Sequence, residues 1–344
     1  MPGYRARTAT VLTGALLLLV TGCSSDSGND KVQTIDAATA AVSPAVSSTP
    51  AGGVITLGTA VAATVFDPTS DTVAMLTPDA RGLILVPATV PGMPPGTMSD
   101  IPRRDVTLPG GVASLSAPRD GVVAVPAGHG VSTVNLSDGK VDTIAVDAEV
   151  RSAALLGDGR VAVGTADGTV LELDSAGSVT HRVDGLVSVD ALGVSGDELS
   201  ALDRRQTSVN EINLADGKRG LGLRAGEGAT NLVTDGFGRV VVTDTTGGEL
   251  LSFTTDPLMM HQRYPLANSP YGVAVDEKSG LVWVTLTGTN EVVGFDLSSG
   301  IPVEKHRYPT VRQPNSVAVD SGTGTVFVAS ATGDGVQRID VAGH

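Results

Sequence analysis

Few side chains in this 344-residue sequence are able to do chemistry. There is one cysteine, Cys23, and five histidines; His129, His181, His261 and His306 fall inside the region expected to fold, and His344 closes the chain. His261 and His306 flank two copies of an Arg-Tyr-Pro phrase, and a solvated strand edge accounts for both more plainly than a paired site does. Two aspartates, Asp276 and Asp320, recur in register 44 residues apart. Such residues at a channel mouth could bind a divalent cation that polarises a substrate carbonyl. After a strand they serve more simply as turn formers that bond their own backbone. The sequence has no His-Glu-x-x-His, no Gly-x-Ser-x-Gly, no phosphate-cradling glycine loop and no EF-hand loop. No catalytic residue, metal ligand set or cofactor site is therefore assigned, and Asp276 and Asp320 stand only as a weak metal alternative.

The remaining candidates are residues of recognition. Arg263-Tyr264-Pro265, followed by Asn268 and Tyr271, and Arg307-Tyr308-Pro309, followed by Arg312 and Asn315, hold three of the four tyrosines of the chain. Tyr and Arg are typical anchors of interfaces, and loops on a rigid scaffold collect binding residues. Arg263, Tyr264, Asn268, Tyr271, Arg307, Tyr308, Arg312 and Asn315 form the candidate binding face. The competing reading is structural: each Tyr packs on a strand edge beneath its Arg, and the Pro fixes the loop.

A repeat must position these residues. Pro-Tyr-Gly-Val-Ala-Val-Asp at 270–276 returns as Pro-Asn-Ser-Val-Ala-Val-Asp at 314–320, and at the same displacement Trp283 meets Phe327 and Val284 meets Val328. More worn copies start near Ala62, Gly111, Arg151, Val189 and Thr230, giving seven units of about 41 residues over 54–341. Glycine is frequent, at 43 residues, and apolar runs of four to seven alternate with Gly/Asp/Ser turns, which is an all-β pattern. The clearest unit divides into strands at 272–276, 281–286, 291–297 and 303–308. Four strands per 40 to 44 residues is the build of a propeller blade. The prediction is a seven-bladed β-propeller of four-stranded antiparallel blades over 53–344. Its last unit has three strands, and Val54–Leu57 supplies the fourth, closing the ring. Trp283 and Phe327 are expected as core between blades. A Pro/Gly/Met-rich insertion at 87–104 blurs the first unit.

The N-terminus predicts location. Arg5 and Arg7 precede a ten-residue apolar run at 11–20, too short for a stable span and suited to an export signal. Val20-Thr21-Gly22-Cys23 then resembles a lipobox, which implies cleavage before Cys23 and a new amino terminus that carries lipid on its thiol. Residues 1–22 are read as signal peptide and 23–52 as lipidated cysteine plus disordered linker, since 24–50 lacks aromatics and periodicity. Two or more acyl chains would make the anchoring stable. Loss of residues 1–22 removes Arg5 and Arg7, leaving 21 basic against 37 acidic side chains and a net charge near −16. Such acidity disfavours nucleic acid, whose binding rests on neutralising phosphate.

The phrases at 270–276, Leu-Val-Trp-Val-Thr at 281–285 and Glu-Val-Val-Gly-Phe-Asp-Leu at 291–297 resemble a blade of the YVTN-type propellers, related in pattern to NHL repeats. With the lipobox and linker, the whole resembles the propeller lipoproteins of mycobacteria and their relatives. The resemblance is strong over 260–341, fair over 150–255 and weak before 150. It implies a monomeric, lipid-anchored envelope protein on the outer face of the cell membrane. Two functions stand at this point. One is a non-catalytic binding or scaffold module for a protein, peptide or glycan. The other is a lactonase-like or lyase-like enzyme with a divalent metal at the channel mouth.

Overall fold

The computed structural model describes residues 1, 3, 33–89 and 101–341. The signal segment, Cys23, part of the 87–104 insertion and His344 lie outside them. The unit that begins at Thr34 carries the whole fold.

Val-, Ile- and Leu-rich runs of three to eight residues become strands, and Gly, Asp or Asn in the left-handed region turns the chain between them. Among the described residues these strands make seven antiparallel sheets, each a blade. Blade 1 is Ala63–Asp67, Thr72–Leu76, Gly82–Pro87 and Arg104–Thr107, from the centre outwards. Blade 3 is Val150–Leu155, Val161–Thr165, Val170–Leu173 and Val179–Val183; blade 4 is Ala191–Ser195, Glu198–Asp203, Ser208–Asn213 and Lys218–Arg224. Blade 5 is Ala229–Thr234, Arg239–Asp244, Glu249–Thr255 and Leu258–Pro265; blade 6 is Pro270–Val275, Leu281–Leu286, Glu291–Asp296 and Val303–Pro309.

Blade 2 departs from the expected four strands. Its sheet holds Val122–Pro126, Gly130–Asn135 and Val141–Ala145. The inner position is filled by residues 112–117 without a regular ladder: Ser116 N–H donates to the Ala124 carbonyl at 3.0 Å, but the Ala124 N–H returns to the Ser116 hydroxyl at 2.9 Å. A serine side chain has replaced a backbone carbonyl in the ladder.

Blade 7 closes the ring as the sequence predicts. Pro314–Asp320, Thr325–Ser330 and Val336–Asp340 come from the end of the chain, and Gly53–Ile55 adds the outer strand with Gly53, Val54 and Ile55 opposite Arg338, Gln337 and Val336. Gly52, at φ +67°, is needed here, since a Cβ would lie 2.1 Å from the Arg338 carbonyl oxygen. Gln337, fully buried, clasps the joint: its amide accepts from Val311 N–H at 3.0 Å and donates to the carbonyls of Ala51 at 2.6 Å and Pro309 at 3.0 Å.

The apolar core divides into seven clusters, each shared by two neighbouring blades. Trp283, 1% exposed, packs between blades 6 and 7 with Val292, Val317 and Val328. Phe327 joins blades 7 and 1, stacked on Phe66 at 6.2 Å. Gly294 stands opposite Trp283, where a Cβ would press within 3.1 Å of the indole. The missing side chain lets the ring reach His306 on the next strand, stacked at 5.7 Å. His306 is thus a packing residue, while His261 is exposed on the outer strand of blade 5.

Residues 34–50 differ from the expected disordered linker. They run as an extended strap over the propeller, with Ile35 N–H donating to the Arg205 carbonyl at 2.9 Å and Ala51 N–H to the Pro309 carbonyl at 3.0 Å. The expectation weighed side chains, and those bury little; the strap is held by its backbone, a contribution that composition does not reveal. No helix among the described residues is long and apolar enough to cross a membrane.

Candidate binding face

The upper face is defined here by the connections that lead into the inner strands, and the lower face by the turns that leave them. The Arg-Tyr-Pro phrases belong to neither. They sit in the outer strands of blades 5 and 6, with Tyr264 opposite Leu250 and Tyr308 opposite Val292. Arg263 pairs with Glu249 at 2.8 Å, and Arg307 with Glu291 at 2.9 Å and Glu304 at 2.7 Å. The hydrogen bond from Arg307 holds the Glu304 carboxyl below its usual range. Tyr264 meets Phe295 edge-on at 5.7 Å. Tyr308 stacks on Trp283 and His306, and burial pushes its phenol pKa up. Here the competing structural reading describes the geometry: tyrosine on the blade edge, arginine above it in an ion pair.

Asn268, Tyr271, Arg312 and Asn315 do reach the upper face. Tyr271 and Asn315 open the inner strands of blades 6 and 7 and line the mouth of the central channel, where Asp190, Arg204 and Asn231 join them. Local hydrogen bonds hold the residues of the mouth. Asn231 Nδ2 donates to the Tyr271 carbonyl at 3.0 Å, and Asn315 Oδ1 accepts from Gln313 Nε2 at 2.9 Å. Arg204 N–H donates to Asp190 at 2.9 Å. Below it every blade lines a cavity of about 580 Å³, with apolar side chains such as Val65, Leu115, Ala153, Leu192, Leu232, Val273 and Val317 and polar ones such as Thr64, Thr234 and Ser316. A preformed cavity of this size, lined by both polar and apolar groups, can take a small ligand or a side chain. Arg312 is engaged by the strap, donating from two guanidinium nitrogens to the Ser43 carbonyl at 3.4 Å.

Asp276 and Asp320 lie in the lower-face turns, at the opposite end of the inner strands from Tyr271 and Asn315. Asp276 accepts from the Ser279 hydroxyl at 2.6 Å and from Lys278 and Ser279 N–H; Asp320 accepts from Gly322 N–H at 2.8 Å and the Thr323 hydroxyl at 2.5 Å. Burial alone would raise the Asp276 carboxyl, but these donors outweigh it and hold its pKa below the usual range. Both are turn formers. Among the described residues no three His, Cys, Asp or Glu side chains gather as a metal cage.

Sequence reasoning passed over Asp203 and Asp244, which end the second strands of blades 4 and 5. Asp203 accepts from the N–H groups of Val187, Arg205 and Gln206 at 2.8, 3.0 and 2.9 Å, and Asp244 from Glu227, Gly228 and Gly247 at 2.8, 2.8 and 2.9 Å. Each buried carboxylate pins its own turn to the connection entering its blade, which stiffens the upper face. Their separation of 41 residues, one repeat, was the available signal. Also unforeseen is Glu172 in blade 3, buried between Arg160 at 2.5 Å and His181 Nδ1 at 2.7 Å, a satisfied carboxylate with no third metal-ligating partner.

Solved structures share this architecture. Kuenenia stuttgartiensis hydrazine synthase is 15% identical, with 84% of this chain and 97% of that one covered and a TM-score of 0.66. A streptogramin B lyase is 11% identical over 83% and 95% of the two chains, with a TM-score of 0.67. The β-propeller domain of Myceliophteria thermophila Cps50 (Swd1) is 13% identical over 85% and 100%, with a TM-score of 0.68. At such identities the likeness is one of fold alone. No protein-family model and no curated protein matches the sequence.

Proposed function

We propose that this chain is an exported cell-envelope lipoprotein, anchored to the outer face of the cell membrane through acylated Cys23. In this reading its propeller is a monomeric, non-catalytic recognition module for an envelope protein, peptide or glycan. The signal segment, the Val-Thr-Gly-Cys phrase and the resemblance of the repeats to YVTN-type propeller lipoproteins support the location. The observation that carries the function is the channel mouth, where Tyr271, Asn315, Asn231 and Arg204 stand over a cavity of mixed polar and apolar lining. Hydrogen-bonding groups and an aromatic side chain are fixed there on rigid strands, as recognition requires. Net charge near −16 in the processed chain supports a partner other than nucleic acid.

The test is a photo-crosslinking phenylalanine analogue placed at Tyr271 in living cells, with the same analogue at exposed His261 as control. A discrete adduct from position 271 that Asn315→Ala abolishes is the expected result. Equal adducts from both positions, or none from 271, would overturn recognition at the mouth. Mass spectrometry of the mature N-terminal peptide tests the anchor separately, with acylated Cys23 expected and a free thiol refuting it.

A further inference from the structure

The strap is bound in a manner that nothing in its composition requires. Gln313 grips it through both ends of one amide, Nε2 donating to the Ala41 carbonyl at 2.9 Å and Oε1 accepting from Ser43 N–H at 2.9 Å. This is the paired reading that one strand gives another. Ala41 N–H donates to the Ser269 hydroxyl at 3.1 Å, Asn290 Nδ2 donates to the Pro44 carbonyl at 3.0 Å, and the Arg204 guanidinium donates to the Ala38 carbonyl. Only one strap side chain is buried: Ser43, 2% exposed, whose hydroxyl donates to the Thr287 carbonyl at 2.6 Å. Its neighbour Val42 is 84% exposed. The upper face therefore reads an extended backbone and a single serine.

A second observation comes from the loops beneath. The connections entering blades 1, 2, 4 and 5 take their left-handed positions with glycine, at Gly58, Gly110, Gly185 and Gly226. Those entering blades 6 and 7 instead place Asn268, Ser269 and Gln313 at φ +71°, +56° and +53°, and the adjoining turn of blade 6 has Asn290 at +56°. Left-handed backbone disfavours side-chain-bearing residues, Ser and Gln more than Asn. Strain of this kind persists at ligand clamps. Here Ser269, Asn290 and Gln313 are three of the residues whose side chains hold the strap.

We propose that the upper-face loops of blades 5 to 7 form a docking track for an extended peptide of the pattern small-x-Ser-Pro. Residues 41–44, Ala-Val-Ser-Pro, are its intramolecular occupant. An external peptide of the same pattern binds by displacing them. The track shares Arg204 with the channel mouth, but no described strap residue lines that cavity, so the two readings can be tested separately. Eight residues separate Pro44 from the closing strand at Gly53, so the strap presents itself at an effective concentration of roughly millimolar order.

The experiment uses the full chain and a fluorescent synthetic peptide of residues 34–48. Ser43→Trp, too large for its buried site, releases the strap, which hydrogen exchange at the Ala41 and Ser43-equivalent amides reports. Fluorescence polarisation is then expected to give the released chain an affinity for the peptide roughly tenfold or more above that of the unaltered chain, because the competent state is no longer self-occupied. Adding Gln313→Ala should remove that binding. Ser43→Ala, which keeps the volume and loses one hydrogen bond, should fall between and serves if the Trp variant misfolds. Equal affinity in released and unaltered chains, or no binding despite rapid strap exchange, would overturn the proposal. So would an unchanged exchange rate at Ala41 in both Ser43 variants.

Discussion

Ring closure offers the sharpest stability prediction, through Gln337→Met. Methionine approximates the volume of glutamine but carries no strong hydrogen-bonding group. The substitution strips the Val311 N–H and the Ala51 carbonyl of their side-chain partner, while the Pro309 carbonyl keeps the Ala51 N–H at 3.0 Å. A buried backbone group left unpaired costs about 1–3 kcal/mol. The Val311 N–H is buried and should cost the larger share; the Ala51 carbonyl is partly reachable by water and should cost less. Together the loss is expected at about 3 kcal/mol. A domain of about 290 residues unfolds with an entropy on the order of 0.6 kcal/mol/K, so the midpoint should fall by about 5 °C. Urea unfolding is the assay, with a lowered midpoint at unchanged slope. A loss below about 1 kcal/mol would refute the clasp as a determinant of closure. A changed slope would show that the variant alters compactness and not the joint alone.

Three further outcomes are expected. Gly52→Ala, which forces a Cβ to within 2.1 Å of the Arg338 carbonyl in a left-handed conformation, should cost about 2 kcal/mol or more by thermal unfolding; a neutral result would mean that the strand Gly53–Ile55 re-registers. Asp276→Asn should lower stability at neutral pH. Because the folded Asp276 carboxyl lies below its usual range, its contribution is present above the unfolded value and lost as pH falls through the folded one, so mutant and parent should converge in acid; a pH-independent gap would refute this. Glu277 is shifted the other way by burial, with Asp235 adding to it, and becomes unfavourable as pH rises through its folded value. Glu277→Gln should therefore stabilise at pH 7 by on the order of 0.5 kcal/mol, the scale of surface changes, and lose that advantage below the unfolded value near 4.5; an advantage that persists in acid would contradict the assignment.

The blades were legible because their signal is periodic. Six of the seven predicted starts fall at or beside inner strands and the seventh, Gly111, beside residues 112–117 at the inner position of blade 2; the closing strand differs from prediction by one or two residues at each end. Trp283 and Phe327 were identifiable as core because one repeat places them on equivalent strands. The site was less legible for a physical reason. Arg263, Tyr264, Arg307 and Tyr308 have the composition of a recognition surface, but partners such as Glu249 on the adjacent strand and Phe295 on the adjacent blade occupy them. Pairing across strands cannot be read from residue type alone. The strap escaped notice because Ala, Thr and Ser offer almost no side-chain signal; its partners are Ser269, Asn290 and Gln313, more than 200 residues downstream.

The joint at blade 7 also sets an order of events. Each blade is built from neighbours in sequence, so strands and blade interfaces form from local contacts soon after their residues become available. The contact between Gln337 and Ala51 spans 286 residues and depends on the last of the seven blades to be synthesised. Closure is therefore the step with the largest loop to gather, and the N-terminal strand waits for it with an unpaired edge. A chain held at its N-terminus would keep that waiting strand near its point of attachment and let the rest of the ring wind back to meet it. Shortening the chain before Asp340 should leave the blades formed but open, a species recognisable by normal β content and an expanded radius.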